Sequence, residues 1–180
     1  MGNLSLMRRT SKGVRRLYHR LAYRYGVAVG RHDPLVPPGD LHSVGNGDFA
    51  ALGNEFLGYF VDLAGLRPQD RVLDVGCGTG RMARPLTRYL QGGRYDGIDI
   101  VANSIEWCRK TYAQRFPNFQ FHFLDAFNGE YNPRGRVRAC DYRFPFADAA
   151  FDFTFLTSVF THMLPTDMEN YLREIVRMLA

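Results

Sequence analysis

The sequence has 180 residues, 46% hydrophobic and 23% charged, enough for one packed domain and unlike a disordered chain. It contains no apolar run of about eighteen residues, so it offers no membrane span. Three widely spaced cysteines, Cys77, Cys108 and Cys140, argue against a disulfide framework or a CxxC metal site and fit a reducing, cytoplasmic setting, and the net charge is +5.

That charge is uneven. Residues 1–31 carry Arg8, Arg9, Lys12, Arg15, Arg16, Arg20, Arg24 and Arg31 and no acid. The rest of the chain is net acidic, so the basic character belongs to the N-terminal segment. Val14, Leu17, Tyr18, Leu21, Ala22 and Tyr25 recur at helical spacing there, with arginines between them. Two readings follow: a helix packed on its own domain with a solvated basic face, or a helix lying on an anionic membrane or partner surface. The acid-free, arginine-rich start also resembles an organelle transit peptide, but it has no secretory apolar core. Leu6 stands where a myristoylation pattern requires Ser or Thr.

Residues 32–48 read as loop, from Asp33-Pro34 through Pro37-Pro38-Gly39 to Gly45-Asn46-Gly47-Asp48. This places residues 1–48 as a basic extension and 49–180 as the main domain. Residues 49–64 carry one apolar stripe, with Asp48 as N-cap and Gly65 as the stop. Strands follow at 71–75, 95–100, 119–124 and 151–157. Helices are expected at 81–90, 103–115 and 166–179, the last opened by a Thr166–Glu169 capping box. An irregular stretch, 126–147, precedes the fourth strand. Strands alternating with helices predict an α/β fold, a Rossmann-like doubly wound parallel sheet with its ligand loops along one edge.

Between the first strand and its helix stands Asp74-Val75-Gly76-Cys77-Gly78-Thr79-Gly80. Glycines there permit positive φ and close backbone approach, and the helix start supplies free N–H groups. Arg81 occupies the third-glycine position of a dinucleotide fingerprint, and no Gly-Lys-Ser/Thr marks a P-loop. Asp74, two residues before the first glycine, would repel a phosphate but suits a ligand bearing ammonium and sulfonium charges. Asp99 ends the second strand, where a carboxylate can accept ribose hydroxyls. Asp125 ends the third, followed by Ala126 and Phe127, where an adenine would find an acceptor and apolar neighbours. Alone, each acid could equally be a helix cap or a turn residue. Three of them at successive strand ends point to one nucleoside-like ligand.

With these residues the sequence resembles the class I S-adenosylmethionine (SAM)-dependent methyltransferases, more closely the broad bacterial group of generic methyltransferase domains. The resemblance rests on Val72–Gly80 with Arg81, on Tyr95–Ile100, on Phe123-Leu124-Asp125-Ala126, and on Phe144-Pro145-Phe146 before Phe151-Asp152. It covers roughly residues 50–180. It implies SAM as cofactor, with Asp74, Gly76, Cys77, Gly78, Thr79 and Gly80 on the methionine part, Asp99 and Ile100 at the ribose, and Asp125 and Ala126 at the adenine. Thr157 and Ser158 would face the methyl donor and a small-molecule acceptor.

Some features depart from the family. Residues 127–143 are long and basic, either a solvated loop or a substrate lid carrying Arg134, Arg136 and Arg138. Leu156–His162 lacks the Asn/Asp-Pro-Pro-aromatic signature of adenine and glutamine N-methyltransferases. The family sheet runs 3-2-1-4-5-7-6, whereas this sequence ends after the fourth strand–helix unit. We therefore expect a truncated chain whose fourth strand would be an apolar edge.

The implied reaction is displacement of the SAM methyl by an O, N or C nucleophile. It depends mainly on positioning, with a base only where the nucleophile must lose a proton. His162 is the candidate base, against a packed or capping histidine. A nicotinamide oxidoreductase is disfavoured by Arg81 and Asp74; a non-catalytic SAM-binding module stays open. No metal cluster and no serine-hydrolase elbow is present in the sequence. Nucleic-acid binding rests on the basic segment alone, without an aromatic platform. Oligomeric state is left open by the sequence.

Overall fold

A computed structural model describes residues 3–41 and 47–180, with the side chains of residues 3–13, 15 and 16 outside that description. Gly45-Asn46 of the expected loop and Met1-Gly2 lie outside the described residues. The chain divides into two compact units, residues 1–46 and 47–180.

The first unit is built on α1 (Asn3–Ala28). Its chain then turns back through residues 29–41. The Tyr23 hydroxyl donates to the Val36 carbonyl at 2.5 Å, Arg20 pairs with Asp40 at 3.1 Å, and the rings of Tyr23 and His32 stack at 6.0 Å. Among the described residues no helix is long and apolar enough to cross a membrane.

The second unit opens with α2 (Phe49–Asp62), capped as the sequence predicts: Asp48 accepts from the amides of Ala50 and Ala51 at 2.8 and 2.9 Å. There follow β1 (Arg71–Val75), α3 (Ala83–Tyr89), β2 (Arg94–Asp99), α4 (Ala102–Cys108) and β3 (Phe119–Phe123). After them come β4 (Ala126–Phe127), β5 (Val137–Arg138), β6 (Phe153–Leu156) and α5 (Pro165–Met178). The main sheet is parallel, in the order β3-β2-β1-β6. With β6 as the fourth long strand, this is the 3-2-1-4 arrangement the resemblance implies. The outer side of β6 pairs with no strand among the described residues. Leu179 forms a parallel bridge with Phe151 at its entrance.

The period-2 pleat sends alternate residues to opposite faces. Val72, Asp74, Tyr95, Gly97, Phe119, Phe121 and Phe155 share one face; Phe60 of α2 meets Phe155 there at 4.3 Å. Leu73, Val75 and Ile98 on the other face join Phe144, Phe151, Tyr171, Ile175 and Met178, all nearly inaccessible, in a core under α5. Both faces of β1 and β2 are thus covered, which explains their near-continuous burial.

Several expectations about local structure are corrected. α5 starts at Pro165, and Thr166 makes no side-chain cap bond. Proline is pre-set for the first helical position, so Thr166 lies already inside the helix and the capping box does not form. α3 starts at Ala83, two residues later than expected, because the chain spends Gly80–Met82 in a turn. The expected helix 103–115 is instead α4 followed by a π-helical turn, Arg109–Ala113. The stretch 126–147 is not wholly irregular: β4 and β5 pair, and Ala139–Asp141 form a 3-10 turn.

Candidate functional site

The site forms at the C-terminal ends of the parallel strands. Gly76 and Cys77 donate their amides to the Ile98 carbonyl at 2.8 and 3.1 Å, so the glycine loop is tied to β2. Gly76 and Gly80 have φ of 84° and 85°. A side chain at Gly76 would meet Val159 at 2.4 Å, and one at Gly80 would meet the Tyr112 ring at 2.7 Å. Backbone conformation and close approach therefore both demand glycine at these two places. Gly78, between them, also has positive φ, and Cys77 and Thr79 are buried.

Asp74 is 1% exposed. The Tyr95 hydroxyl donates to its Oδ2 at 2.7 Å, and its Oδ1 is buried with no partner. Burial, with the charge of Asp99 adding, pushes its carboxyl up to about 7. Asp99 accepts the Gly78 amide at 2.7 Å on Oδ2 and the Val101 amide at 2.7 Å on Oδ1. Its carboxyl is also raised by burial, against the opposing pull of these backbone donors. Two buried acids lie beneath one loop, and the orphaned oxygen of Asp74 lacks a donor. An ammonium ligand supplies that donor, a sulfonium adds favourable charge, and a phosphate offers neither. Ile100, partly buried, continues the wall beyond Asp99 and packs against the core.

Asp125 lies beyond β3, but its surroundings differ from those of the other two acids. Its carboxylate is paired with Arg136, which holds it below the usual carboxylate range. Its amide N–H donates to the Tyr142 hydroxyl oxygen at 3.2 Å. Ala126 is buried and opens β4. The arginines of the basic loop are engaged locally, Arg136 with Asp125 and Arg138 with Asp141 at 2.7 Å; Arg134 is exposed.

Thr157 follows β6 in a turn where Ser158 has φ of 57°, an uncommon conformation for a residue other than glycine, and Val159 reaches Gly76. The turn continues into Phe160–His162. His162 packs on the loop 128–131. Its Nδ1 is 3.3 Å from the Glu130 carboxylate and its Nε2 3.4 Å from the Tyr131 hydroxyl, with the two rings edge-on at 5.0 Å. Asn128 secures the arrangement. Its side-chain oxygen accepts the Glu130 and Tyr131 amides, each at 3.0 Å, and its Nδ2 donates to the His162 carbonyl at 3.1 Å.

Sequence reasoning missed Tyr95, Tyr112, Asn128, Glu130 and Tyr131. Tyr112 is placed by the π-turn, from which its hydroxyl donates to the Gly80 carbonyl at 3.0 Å. No spacing rule announces it. Asn128, which accepts the amides two and three residues on, carried a turn signal that was available. Among the described residues no group of His, Cys, Asp and Glu could hold a metal ion.

A family profile described as "Methyltransferase domain" matches residues 73–180. The phthiotriol/phenolphthiotriol dimycocerosates methyltransferase of Mycobacterium tuberculosis is 34% identical over 119 residues, 66% of this chain and 36% of the relative. The putative methyltransferase 235L of Invertebrate iridescent virus 6 is 29% identical over 83 residues, 46% of this chain and 29% of the relative. The chain thus spans about a third of the length of the curated relatives it matches. Among solved structures, the YcgJ protein of Bacillus subtilis is 26% identical, with a TM-score of 0.52, over 70% of this chain and 46% of its own. Coclaurine N-methyltransferase, solved with N-methylheliamine and S-adenosylhomocysteine, shares the fold at 15% identity and a TM-score of 0.56, over 78% of this chain and 35% of its own. The profile match, the parallel 3-2-1-4 sheet and the acid-floored glycine loop agree: the chain belongs to the methyltransferase-domain family, the class I SAM-dependent methyltransferases, whose cofactor is S-adenosylmethionine.

Proposed function

We propose that this chain transfers a methyl group to an O, N or C nucleophile of a small molecule. We propose further that Asp74 and the Gly76–Gly80 loop hold the methionine part of the cofactor, Asp99 and Ile100 the ribose, and the Asp125-Ala126 segment the adenine. The observation that carries this reading is the unpartnered buried oxygen of Asp74 beneath the glycine loop. A cationic amine supplies the donor that oxygen lacks, and its charge favours the ionised carboxylate. Asp99 accepts backbone amides from Gly78 and Val101, with Ile100 also pulling on it, and a carboxylate's roughly four lone-pair sites still leave room for a ribose hydroxyl. Thr157, beside the loop that Val159 touches, would border the reacting centre.

When bound, S-adenosylmethionine supplies a methyl already activated on sulfonium. The protein then has to orient the acceptor and, for a hydroxyl or amine, receive a proton. His162 is the group we assign to that proton. With Nδ1–H donated to Glu130, its Nε2 is the basic nitrogen, and Tyr131 borders it. Paired with Arg136 as it is, Asp125 reaches an adenine amino group only through oxygen lone pairs the guanidinium leaves open.

Isothermal titration with S-adenosylmethionine, S-adenosylhomocysteine and NAD tests the cofactor assignment. Binding of the first two without NAD supports it; NAD binding alone overturns it. Methyl release from labelled cofactor over a panel of hydroxyl, amine and carbon-acid acceptors then tests transfer. Cofactor binding with no release across the panel points to a binding module instead.

A further inference from the structure

The first unit carries a surface that the cofactor site does not use. On α1, Val14, Leu17, Tyr18, Leu21 and Tyr25 are between 55% and 69% exposed. At the α-helical turn per residue these five share one arc of about 100°. The opposite arc carries Tyr23, Gly26 and Val27 and is the one served by residues 29–41. Tyr23 bonds Val36 there, Pro37 and Pro38 are buried, and His32 lies so close that a side chain at Gly26 would meet its ring at 2.1 Å. The local partner of the helix therefore takes its smaller face and leaves the larger apolar one open.

Charge selects what covers that face. Residues 1–31 hold eight basic side chains and no acid. A second copy of the same helix would bring two acid-free, arginine-rich segments together, and they would repel. A nucleic acid would satisfy the arginines and leave the apolar stripe in water. An anionic lipid bilayer satisfies both: acyl chains take Val14, Leu17 and Leu21, tyrosines sit at headgroup depth, and guanidinium groups meet phosphates. Arg24, exposed at the edge of the stripe, has a long stem that lets its charge reach the headgroups, whereas Arg20 pairs with Asp40. We infer that α1 is a membrane-surface helix that lies in the interface of an anionic bilayer through Val14, Leu17, Tyr18, Leu21 and Tyr25.

The test is co-sedimentation of the full chain with phosphatidylcholine vesicles, with and without phosphatidylglycerol, at rising salt. Binding is expected only with the anionic lipid and weakens as salt is added. Leu17→Glu with Leu21→Glu lowers the partition coefficient by about tenfold or more, leaving the melting temperature and cofactor affinity unchanged. Several results would overturn the inference. One is no vesicle binding by the wild type, or equal binding to neutral and anionic vesicles. Another is a fall in melting temperature in the double variant, which would make the stripe an internal packing face. A wild-type dimer that the double variant dissociates, or duplex DNA binding without vesicle binding, would assign the surface to another partner. Cofactor titration of the same samples reports separately on the proposed function.

Discussion

The Tyr95 hydroxyl binds one oxygen of the Asp74 carboxylate at 2.7 Å and leaves the other, equally buried, without a partner. A half-satisfied carboxylate in a core is costly, and its cost is a reason to look for a ligand. Asp74→Asn tests the trade directly. The amide keeps an acceptor for Tyr95 and carries no charge to bury. At pH 8 the variant should melt higher than wild type, at roughly 2–4 °C for each kcal/mol gained, while cofactor affinity falls by about a hundredfold or more. Thermal denaturation and calorimetric titration measure the two effects separately.

The same group sets a pH dependence. Its carboxyl titrates near 3.8 when unburied and at about 7 in the folded chain. Between those values the folded state holds the extra proton, so stability contributed at this position falls as pH rises through that window. Cofactor binding runs the other way, because a cation needs the ionised form. Affinity should climb about tenfold per pH unit below 7 and level off above it, and Asp74→Asn should flatten the slope. A flat wild-type profile from pH 5 to 8 would remove Asp74 from the cofactor contact.

Much of this site was legible in the sequence because its determinants are local. Gly76 to Gly80 must be glycine or small for backbone reasons, and Asp74 and Asp99 sit at strand positions that a period of two fixes. The four strands of the sheet follow from apolar runs bounded by turn signals. What stayed hidden depends on side chains distant in sequence. Tyr95 and Tyr112 look like ordinary core aromatics until the sheet and a π-turn bring them to Asp74 and Gly80. Asp125 reads as a third acid at a strand end, and its pairing with Arg136 eleven residues on was not legible from spacing. The capping box failed because Pro165, one residue earlier, starts the helix first.

Tyr112 offers a test of that hidden layer. Its ring closes on Gly80, and its hydroxyl holds the Gly80 carbonyl at 3.0 Å. Tyr112→Phe removes one buried hydrogen bond, worth about 1 kcal/mol, and keeps the ring. We expect a small drop in melting temperature and cofactor affinity weaker by several-fold. Gly80→Ala adds a methyl at φ of 85° into the ring itself. Its loss of cofactor binding should exceed that of Tyr112→Phe, and pairing it with Tyr112→Ala should recover part of the loss by clearing the space.

Asp152 anchors the opposite end of the sheet, where acid should act differently. Arg71 donates to both its oxygens, at 2.7 and 2.8 Å, and holds its carboxyl down at about 2. A depressed carboxyl stabilises the fold above its unfolded value near 3.8, and that contribution is lost as pH falls through 2. Both partners are partly solvated, so the gain is modest. Asp152→Asn should lower the melting temperature by a few degrees at pH 7, and the gap to wild type should close as acid protonates Asp152. A constant gap across that range would show that packing at the β1–β6 entrance, not the ion pair, carries the effect.

The loop before β5 should be separable from cofactor binding. The Asn128 side chain makes three hydrogen bonds, to the Glu130 and Tyr131 amides and to the His162 carbonyl, and no contact with the glycine loop is needed for them. Asn128→Ala removes all three while leaving Asp74, Asp99 and Gly76–Gly80 in place. Hydrogen exchange at the Glu130 and Tyr131 amides should then speed up by about tenfold or more, because their acceptor is gone. Cofactor affinity should stay within about twofold of wild type. If methyl transfer falls at unchanged cofactor affinity, the loop acts through His162 on the acceptor. If cofactor affinity falls with it, the loop belongs to the cofactor pocket, and the division of labour between the two halves of the sheet edge is wrong.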